Sequence, residues 1–218
     1  MDSETNFSGQ QGNCGDKAII GILTVSDRAS KGEYEDQGGP AILEFFKQAV
    51  ASELLIHYQC VEDNQQLIED ALIEMSDRKN CSVIVTTGGT GPAQRDVTPE
   101  ATANVCDKIL DGFGEQMRMI SLKYVPTAIL SRQIGGIRRS CLIFNLPGRP
   151  KAIRETIDEV WRAVPYCVDL IGGPYIDMND EIARLCAVAQ KPAQLCDQIF
   201  PALADELPLL IRDGGFIL

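Results

Sequence analysis

The chain has 218 residues, of which 44% are hydrophobic, and this size and composition allow one sizeable α/β domain with a buried core. The formal net charge of −11 argues against nucleic acid or an anionic membrane as the main partner. A small anionic substrate remains compatible with this charge, provided that its site supplies cations. We find no uninterrupted apolar run long enough to span a bilayer.

Eight cysteines are dispersed along the chain without any C-x-x-C pair. Cys81 and Cys141 lie in or beside apolar runs and are predicted to be small core residues. A disulfide framework is the alternative, but the acidic first residues lack the basic and apolar regions of a secretory signal. With one histidine and scattered cysteines, a zinc site is not expected. The pattern predicts a reduced, cytoplasmic protein.

Predicted strands and helices alternate along the first half of the chain, after a polar tail over residues 1–16 that is predicted to be disordered. Hydrophobic periodicity and capping residues define each element. In chain order they are a strand over 18–25, a helix opening at Pro40, a strand over 54–61, a helix capped by 62–64, a strand over 82–86, and a helix from Thr98 to about Leu110.

The second half continues this alternation less regularly. Its predicted elements are a break at 112–114, a helix over 115–124, a short helix and a strand within 127–140, a buried strand over 141–145, a helix beginning near Pro150, and a last core segment over 164–171. The extension 178–218 is amphipathic but interrupted by prolines, and it is predicted to be helical or partly disordered.

This alternation predicts an α/β fold, a three-layer α/β/α sandwich with a mostly parallel central sheet, formed by a domain over residues 17–177. The carboxyl ends of parallel strands meet at one edge of such a sheet. The loops 26–30, 88–98 and 145–150, together with Asp63, are therefore expected to form a single cleft.

The loop after the strand 82–86 carries the clearest functional signal. Gly88, Gly89, Thr90 and Gly91 join that strand to a helix start where Thr98 is expected to cap and Pro99 to occupy the first helical position. Such a turn exposes backbone N–H groups that attract an anion, usually a phosphate. It matches neither the P-loop nor the dinucleotide-binding motif. A purely conformational role for the glycines is the alternative.

A carboxylate, Asp96, follows in the same loop. An acid beside a phosphate would repel it, so this pairing indicates a phosphate bridged by a divalent metal ion such as Mg²⁺. Two structural roles stay open beside this interpretation. Asp96 suits an Asx turn, and Asp63 suits the N-cap or the first turn of the following helix.

Five ordered segments resemble the molybdenum-cofactor biosynthesis family that adenylylates molybdopterin, and most closely its bacterial, MogA-type branch. The resemblance covers roughly residues 18–176. The matching segments are 24–30, 86–99, 112–118, 126–132 and 145–148. Two features depart from the family pattern: Glu62 replaces a proline, and the tail after about Asp177 has no match.

The resemblance implies a compact α/β/α homotrimer that uses ATP and Mg²⁺. In the family reaction, the terminal phosphate of molybdopterin attacks the α-phosphate of ATP and releases pyrophosphate. This makes the chain a nucleotidyltransferase, with molybdopterin and ATP as substrates and a molybdate-inserting enzyme as a possible downstream partner. A non-catalytic molybdopterin-binding or carrier protein of the same fold is the alternative.

The resemblance also implies residue roles. Asp63 and Asp96 correspond to the family's catalytic aspartates and would hold Mg²⁺ directly or through water. Ser26 would donate to phosphate or pterin, and Asp27 would accept from a pterin amine, although both also suit a simple strand end. The remaining candidate substrate-binding residues are Gly88, Gly89, Thr90, Gly91, Ser131, Asn145, Pro147 and Gly148. Arg28, Arg95 and Arg132 are either cations of the site or solvated surface charges.

Overall fold

The structure is a computed structural model that describes residues 4–7, as backbone, and residues 17–179. Within these residues seven strands form one sheet. They are β1 (Glu4–Phe7), β2 (Ala18–Val25), β3 (Leu54–Val61), β4 (Val83–Thr87), β5 (Lys108–Ile109), β6 (Gly135–Arg138) and β7 (Cys141–Leu146). The strand order across the sheet is β1-β3-β2-β4-β7-β6-β5.

The four central strands β3, β2, β4 and β7 run parallel, while the short strands at both edges pair antiparallel. The register sets Thr24 of β2 beside both Cys60 of β3 and Thr87 of β4. Every residue of β4 and β7 is buried, as expected for parallel strands covered by helices on both faces. The predicted mostly parallel α/β/α sandwich is confirmed.

Seven helices accompany these strands within the described residues. They are α1 (Asp27–Ser30), α2 (Gly38–Ala49), α3 (Gln65–Ile73), α4 (Thr98–Val105), α5 (Asp111–Leu122), α6 (Pro150–Val160) and α7 (Val164–Leu170). A π-helical turn (Glu74–Arg78) continues α3, and 3₁₀ turns cover Pro126–Leu130 and Trp161–Ala163.

The core lies on both faces of the sheet. On one face α3 and α4 pack against each other and against Leu23, Ile84 and Ile143 of the central strands. On the other face, the rings of Phe45 and Phe46 from α2 lie 5.9 and 5.1 Å from Trp161, each in an edge-on arrangement. Such pairs add to the stabilisation from buried apolar area. These two layers hold the central strands rigidly and thereby fix the loops at their ends.

Three predictions of local structure are wrong. Residues 112–114 do not break a helix but belong to the first turns of α5. Gly114 lets the backbone of α5 approach the backbone of Gln133, because a methyl group built on Gly114 would lie 2.6 Å from the carbonyl oxygen of Gln133. The helix α4 ends at Val105, and β5 follows it. Residues 4–7 of the predicted disordered tail form β1, which pairs with β3, because the edge of β3 offers unpaired backbone groups.

Other expectations hold or lie outside the description. The cysteines among residues 17–179 are all free, and Cys81 and Cys141 are each 2% exposed core residues, as predicted. In that same stretch no helix is both long and apolar enough to cross a lipid bilayer. The rest of the tail 1–16 and nearly all of the extension 178–218 fall outside the described residues.

Candidate active site

The glycine turn after β4 has the backbone conformation that its sequence indicates. Gly88 and Gly89 have φ angles of 95° and 62°, which side chains disfavour. A methyl group built on Gly88 would lie 2.2 Å from the carbonyl oxygen of Val25, so the turn also requires close approach to β2. The Thr98 hydroxyl donates to the carbonyl oxygen of Gly88 over 2.9 Å. Thr98 therefore locks the turn, whereas Val97, not Thr98 as predicted, occupies the N-cap of α4.

The amide groups of this turn are available to a ligand. The carbonyl oxygen of Gly89 accepts from the amide of Thr98, that of Thr90 accepts from the amide of Arg132, and that of Gly91 accepts from Arg132 Nε. The amide N–H groups of Gly89, Thr90 and Gly91 find no acceptor among residues 17–179. A turn whose carbonyls are satisfied inward and whose N–H groups are free presents partial positive charge and can bind an anion.

Two carboxylates from different strands lock the neighbouring loops together. The amide of Asp27 donates to Asp63 Oδ2, and the amide of Asp63 donates to Asp27 Oδ1, both over 2.9 Å. The Asp63 side chain is only 12% exposed, so its carboxylate is held in a defined position after β3. Asn64, one residue later, caps α3 by accepting from the amide of Leu67. Asp63 thus lies just before the capping residue and is oriented by the loop after β2.

The structure brings Asp63 next to the glycine turn. A methyl group built on Gly89 would lie 3.4 Å from Asp63 Oδ1, and one built on Gly91 would lie 2.7 Å from Asp96 Oδ2. Burial, and then the charge of Asp96, raise the pKa of Asp63 above its usual range. Asp96 also accepts from the amide of Ala93 over 3.1 Å. This amide lies three residues earlier in the chain, so the bond closes the loop and is not the Asx turn that the sequence suggests.

Arginines neutralise part of this acidic site. Arg95 contacts Asp27 directly, and its guanidinium lies 3.4 Å from Asp63 Oδ2. Although Arg95 lies this close, the pKa of Asp63 stays raised, because burial of the carboxylate has the larger effect. Arg132 contacts the Glu100 carboxylate and the carbonyl oxygen of Asp96, in addition to its bond to the glycine turn. Arg132 therefore holds the loop that carries Asp96, a role that depends on its several N–H donors.

The donor set suits one hard divalent cation shared with a ligand. Among residues 17–179 no group of three or more His, Cys, Asp or Glu side chains is arranged to hold a metal by itself. Asp63 and Asp96 instead form a pair whose mutual repulsion a cation would relieve. Mg²⁺ binds one or two carboxylates together with phosphate oxygens and waters, so this pair fits the ion.

Two cavities flank the glycine turn and share Gly148. The first, here called the switch-point cavity, has a volume of about 220 Å³ and lies between the ends of β2 and β4. The chain order reverses there, as it does where open α/β sheets bind ligands. The second, here called the loop cavity, has about 290 Å³. Of the predicted residues, Ser26, Gly88 and Gly148 line the first; Thr90, Gly91, Ser131, Pro147 and Gly148 line the second.

Asn145 lies beneath the site rather than on its surface. Its side chain is fully buried, and its amide donates to the hydroxyls of Thr86 and Thr102 over 3.0 and 2.9 Å. Its oxygen accepts from the amide of Ile134. With every polar atom of the side chain engaged, Asn145 supports the strand ends instead of offering groups to a ligand. Ser131 is only partly buried, and its hydroxyl donates to Gln133.

Sequence reasoning missed Asp36, which lines the switch-point cavity. Its carboxylate accepts from the amides of Gly38 and Gly39, the hydroxyl of Thr24 and the phenol of Tyr58, over 2.7 to 3.0 Å. Burial, then this carboxylate, raise the pKa of Tyr58, so the phenol stays a donor. An acid just before the pair Gly38-Gly39 and Pro40 is a helix-start pattern that could have revealed it.

The protein is an α/β protein with a mostly parallel sheet, and its glycine turn with free amides lies beside two carboxylates at the carboxyl ends of the strands, where proteins of this class bind ligands. The model of the family described as "Probable molybdopterin binding domain" matches residues 21–166. The chain belongs to this family.

Named relatives and solved structures agree with this assignment. The molybdopterin adenylyltransferase of Helicobacter pylori (strain J99) is 59% identical over 162 residues, covering 74% of this chain and 92% of that protein. The enzyme of the same name from Escherichia coli K12 is 47% identical, covering 75% and 90%. The structure of the molybdopterin biosynthesis enzyme MoaB from Thermus thermophilus has a TM-score of 0.67 and 39% identity, covering 72% of this chain and 99% of that one.

Proposed function

We propose that this protein is a molybdopterin adenylyltransferase, which transfers AMP from ATP to the terminal phosphate of molybdopterin and releases pyrophosphate. The observation that carries the proposal is the convergence of Asp63, Asp96 and the free amides of residues 89–91 at one edge of the sheet. Relatives that are 47–59% identical over most of their length carry this name. The proposal therefore has a geometric and a comparative basis.

The chemistry suits such a site. The nucleophile is a phosphate oxygen that is already anionic at neutral pH, so no general base is needed. The barrier comes from bringing two anions together, and positioning and charge neutralisation lower it. The turn amides of residues 89–91 orient one phosphate, while Arg132 keeps the Asp96 loop in place. Asp63 and Asp96 would hold Mg²⁺, which supplies positive charge to the phosphates when it is bound.

The direct experiment uses the full chain with molybdopterin, ATP and Mg²⁺, with mass detection of the adenylated pterin and assay of pyrophosphate. We expect Asp96→Asn to lower turnover by at least about 100-fold, because one of the two carboxylates that would hold Mg²⁺ at the phosphates is lost. Asp158→Asn is a matched control that removes one carboxylate on the exposed side of α6. Full pyrophosphate release by Asp96→Asn would refute the assigned role. Chelation of the divalent cation is expected to stop the reaction.

The carrier alternative is not favoured. A protein that only holds a phosphorylated pterin gains nothing from two additional carboxylates beside the phosphate, because like charges repel. The relatives are also named as transferases and not as carriers. The same experiment separates the two functions, since a carrier would bind molybdopterin and leave ATP intact.

We also propose a homotrimer in the cytoplasm, which delivers its product to a molybdate-inserting enzyme. Several large apolar side chains near the end of α5 and the following 3₁₀ turn are exposed in the single chain, with Met119 at 61% and Ile129 at 71%. An exposed apolar patch marks an interaction surface. Light scattering of the full chain checks the assembly, and a monomeric mass would contradict it.

A further inference from the structure

The candidate site is acidic, whereas the substrates of the proposed function are anionic. The carboxylates of Asp63 and Asp96 lie beside a turn that would bind phosphorylated substrates under the proposed function, and Asp27 is hydrogen-bonded to Asp63. Two substrates that each carry several negative charges need cations on the protein in addition to the turn amides. Arginines near the turn supply such charge only if their guanidinium groups are not already paired.

Three arginines around the site are already engaged. Arg95 contacts the carboxylates that follow β2 and β3. Arg132 uses its guanidinium on Glu100 and on two backbone carbonyls. The guanidinium of Arg28 lies over the ring of Tyr34, 5.1 Å from the ring centroid. Each of these side chains has intramolecular partners that a substrate would have to displace.

Arg149 differs from them. It lines the loop cavity together with Thr90 and Gly91, and it is exposed. Its guanidinium makes no hydrogen bond and no ion pair within residues 17–179. It also occupies the N-cap of α6 without a side-chain capping bond, a position where positive charge is unfavourable. Binding of an anionic ligand would therefore stabilise the Arg149 guanidinium at this position.

We propose that Arg149 is a specificity-determining residue that binds a phosphoryl group of a substrate held in the loop cavity. The inference rests on the proposed function, because that function supplies the phosphorylated substrates. The phosphoryl group belongs either to the pterin or to the nucleotide, and the two share the chemistry that a guanidinium recognises in a paired geometry.

The test compares Arg149→Gln, Arg149→Lys and a charge-matched control, Lys151→Gln, in the full chain. Lys151 lies two residues further along, does not line the cavity and faces Glu155 at 3.8 Å. Equilibrium affinities for molybdopterin, ATP and inorganic pyrophosphate are measured separately by calorimetry at low ionic strength. We expect Arg149→Gln to weaken at least one of them by about tenfold and to flatten its salt dependence. Arg149→Lys keeps the charge but loses the paired N–H geometry, so its affinity is expected to fall between that of wild type and that of Arg149→Gln.

The pattern of losses identifies the phosphoryl group. A loss for molybdopterin alone assigns the pterin phosphate, whereas a loss for ATP and pyrophosphate assigns the nucleotide. Affinities of Arg149→Gln within about twofold of wild type for all three ligands would overturn the inference, as would an equal loss in Lys151→Gln. Because binding is measured without turnover, a wild-type chain that binds but does not transfer AMP would contradict the proposed function and leave Arg149 supported.

Discussion

Replacing Asn145 with leucine tests whether this residue supports the site from below. Leucine has a similar size, so the change removes hydrogen bonds without opening a large cavity. Three hydrogen bonds are lost. The Asn145 side chain donates to the hydroxyls of Thr86 and Thr102, over 3.0 and 2.9 Å, and accepts from the amide of Ile134 over 3.3 Å.

The expected cost follows from these three bonds. Each contributes about 1 kcal/mol net, and the side chain is fully buried, so water cannot replace the lost partner. We therefore expect the free energy of unfolding to fall by about 3 kcal/mol. A domain of ordinary stability, about 5–15 kcal/mol, still folds after such a loss.

Urea unfolding of Asn145→Leu, followed by circular dichroism, gives this value directly. Ser30→Ala is the control, because Ser30 is exposed and its hydroxyl makes a single bond, to the carbonyl oxygen of Asp27. Its expected cost is below about 1 kcal/mol. If Asn145→Leu unfolded at the same urea concentration as wild type but bound substrate more weakly, Asn145 would be a ligand contact, and the supporting role would be refuted.

Two further predictions concern the glycine turn and the carboxylate of Asp63. Gly88→Ala is expected to destabilise the fold by at least about 2 kcal/mol, because Gly88 has a positive φ and its added methyl group would clash with Val25. Gly112→Ala is the control. Gly112 lies in a helix and its added methyl group would meet nothing within 4 Å, so this change is expected to stabilise the fold by about 0.5 kcal/mol. Thermal unfolding of the pair checks this, and equal shifts would contradict it. Because the pKa of Asp63 is raised, the folded protein binds the proton of this carboxyl group more tightly than the unfolded chain does. The free energy of unfolding of wild type, relative to that of Asp63→Asn, is therefore expected to fall as pH rises above about 3.9. Urea titrations of both proteins from roughly pH 3.5 to pH 7 measure the difference, and a relative gain for wild type over that range would show that the sign is wrong.

The sequence predicts the central strands closely because their signal is local. Parallel strands that are buried on both faces appear as continuous β-branched and apolar runs, as over residues 18–25, and this range matches the observed strand. The range 54–61 also matches its strand, although that strand is only partly buried and includes His57, Tyr58 and Gln59. Edge strands lack such a signal. The strand at 108–109 has exposed side chains, and its pairing depends on β6, which is remote in sequence.

The same distinction applies to the site. Sequence by itself determined that a glycine turn follows β4 and that Asp63 and Asp96 lie after parallel strands, because glycine conformations and chain order at a sheet edge are properties of the residues and of connectivity. Only the tertiary structure decided how each polar side chain is used. It buries Asn145, engages Arg95 and Arg132, and leaves Arg149 without a partner within residues 17–179. Ion pairs and hydrogen bonds between residues distant in sequence depend on distances of a few ångströms, and no local pattern encodes those distances.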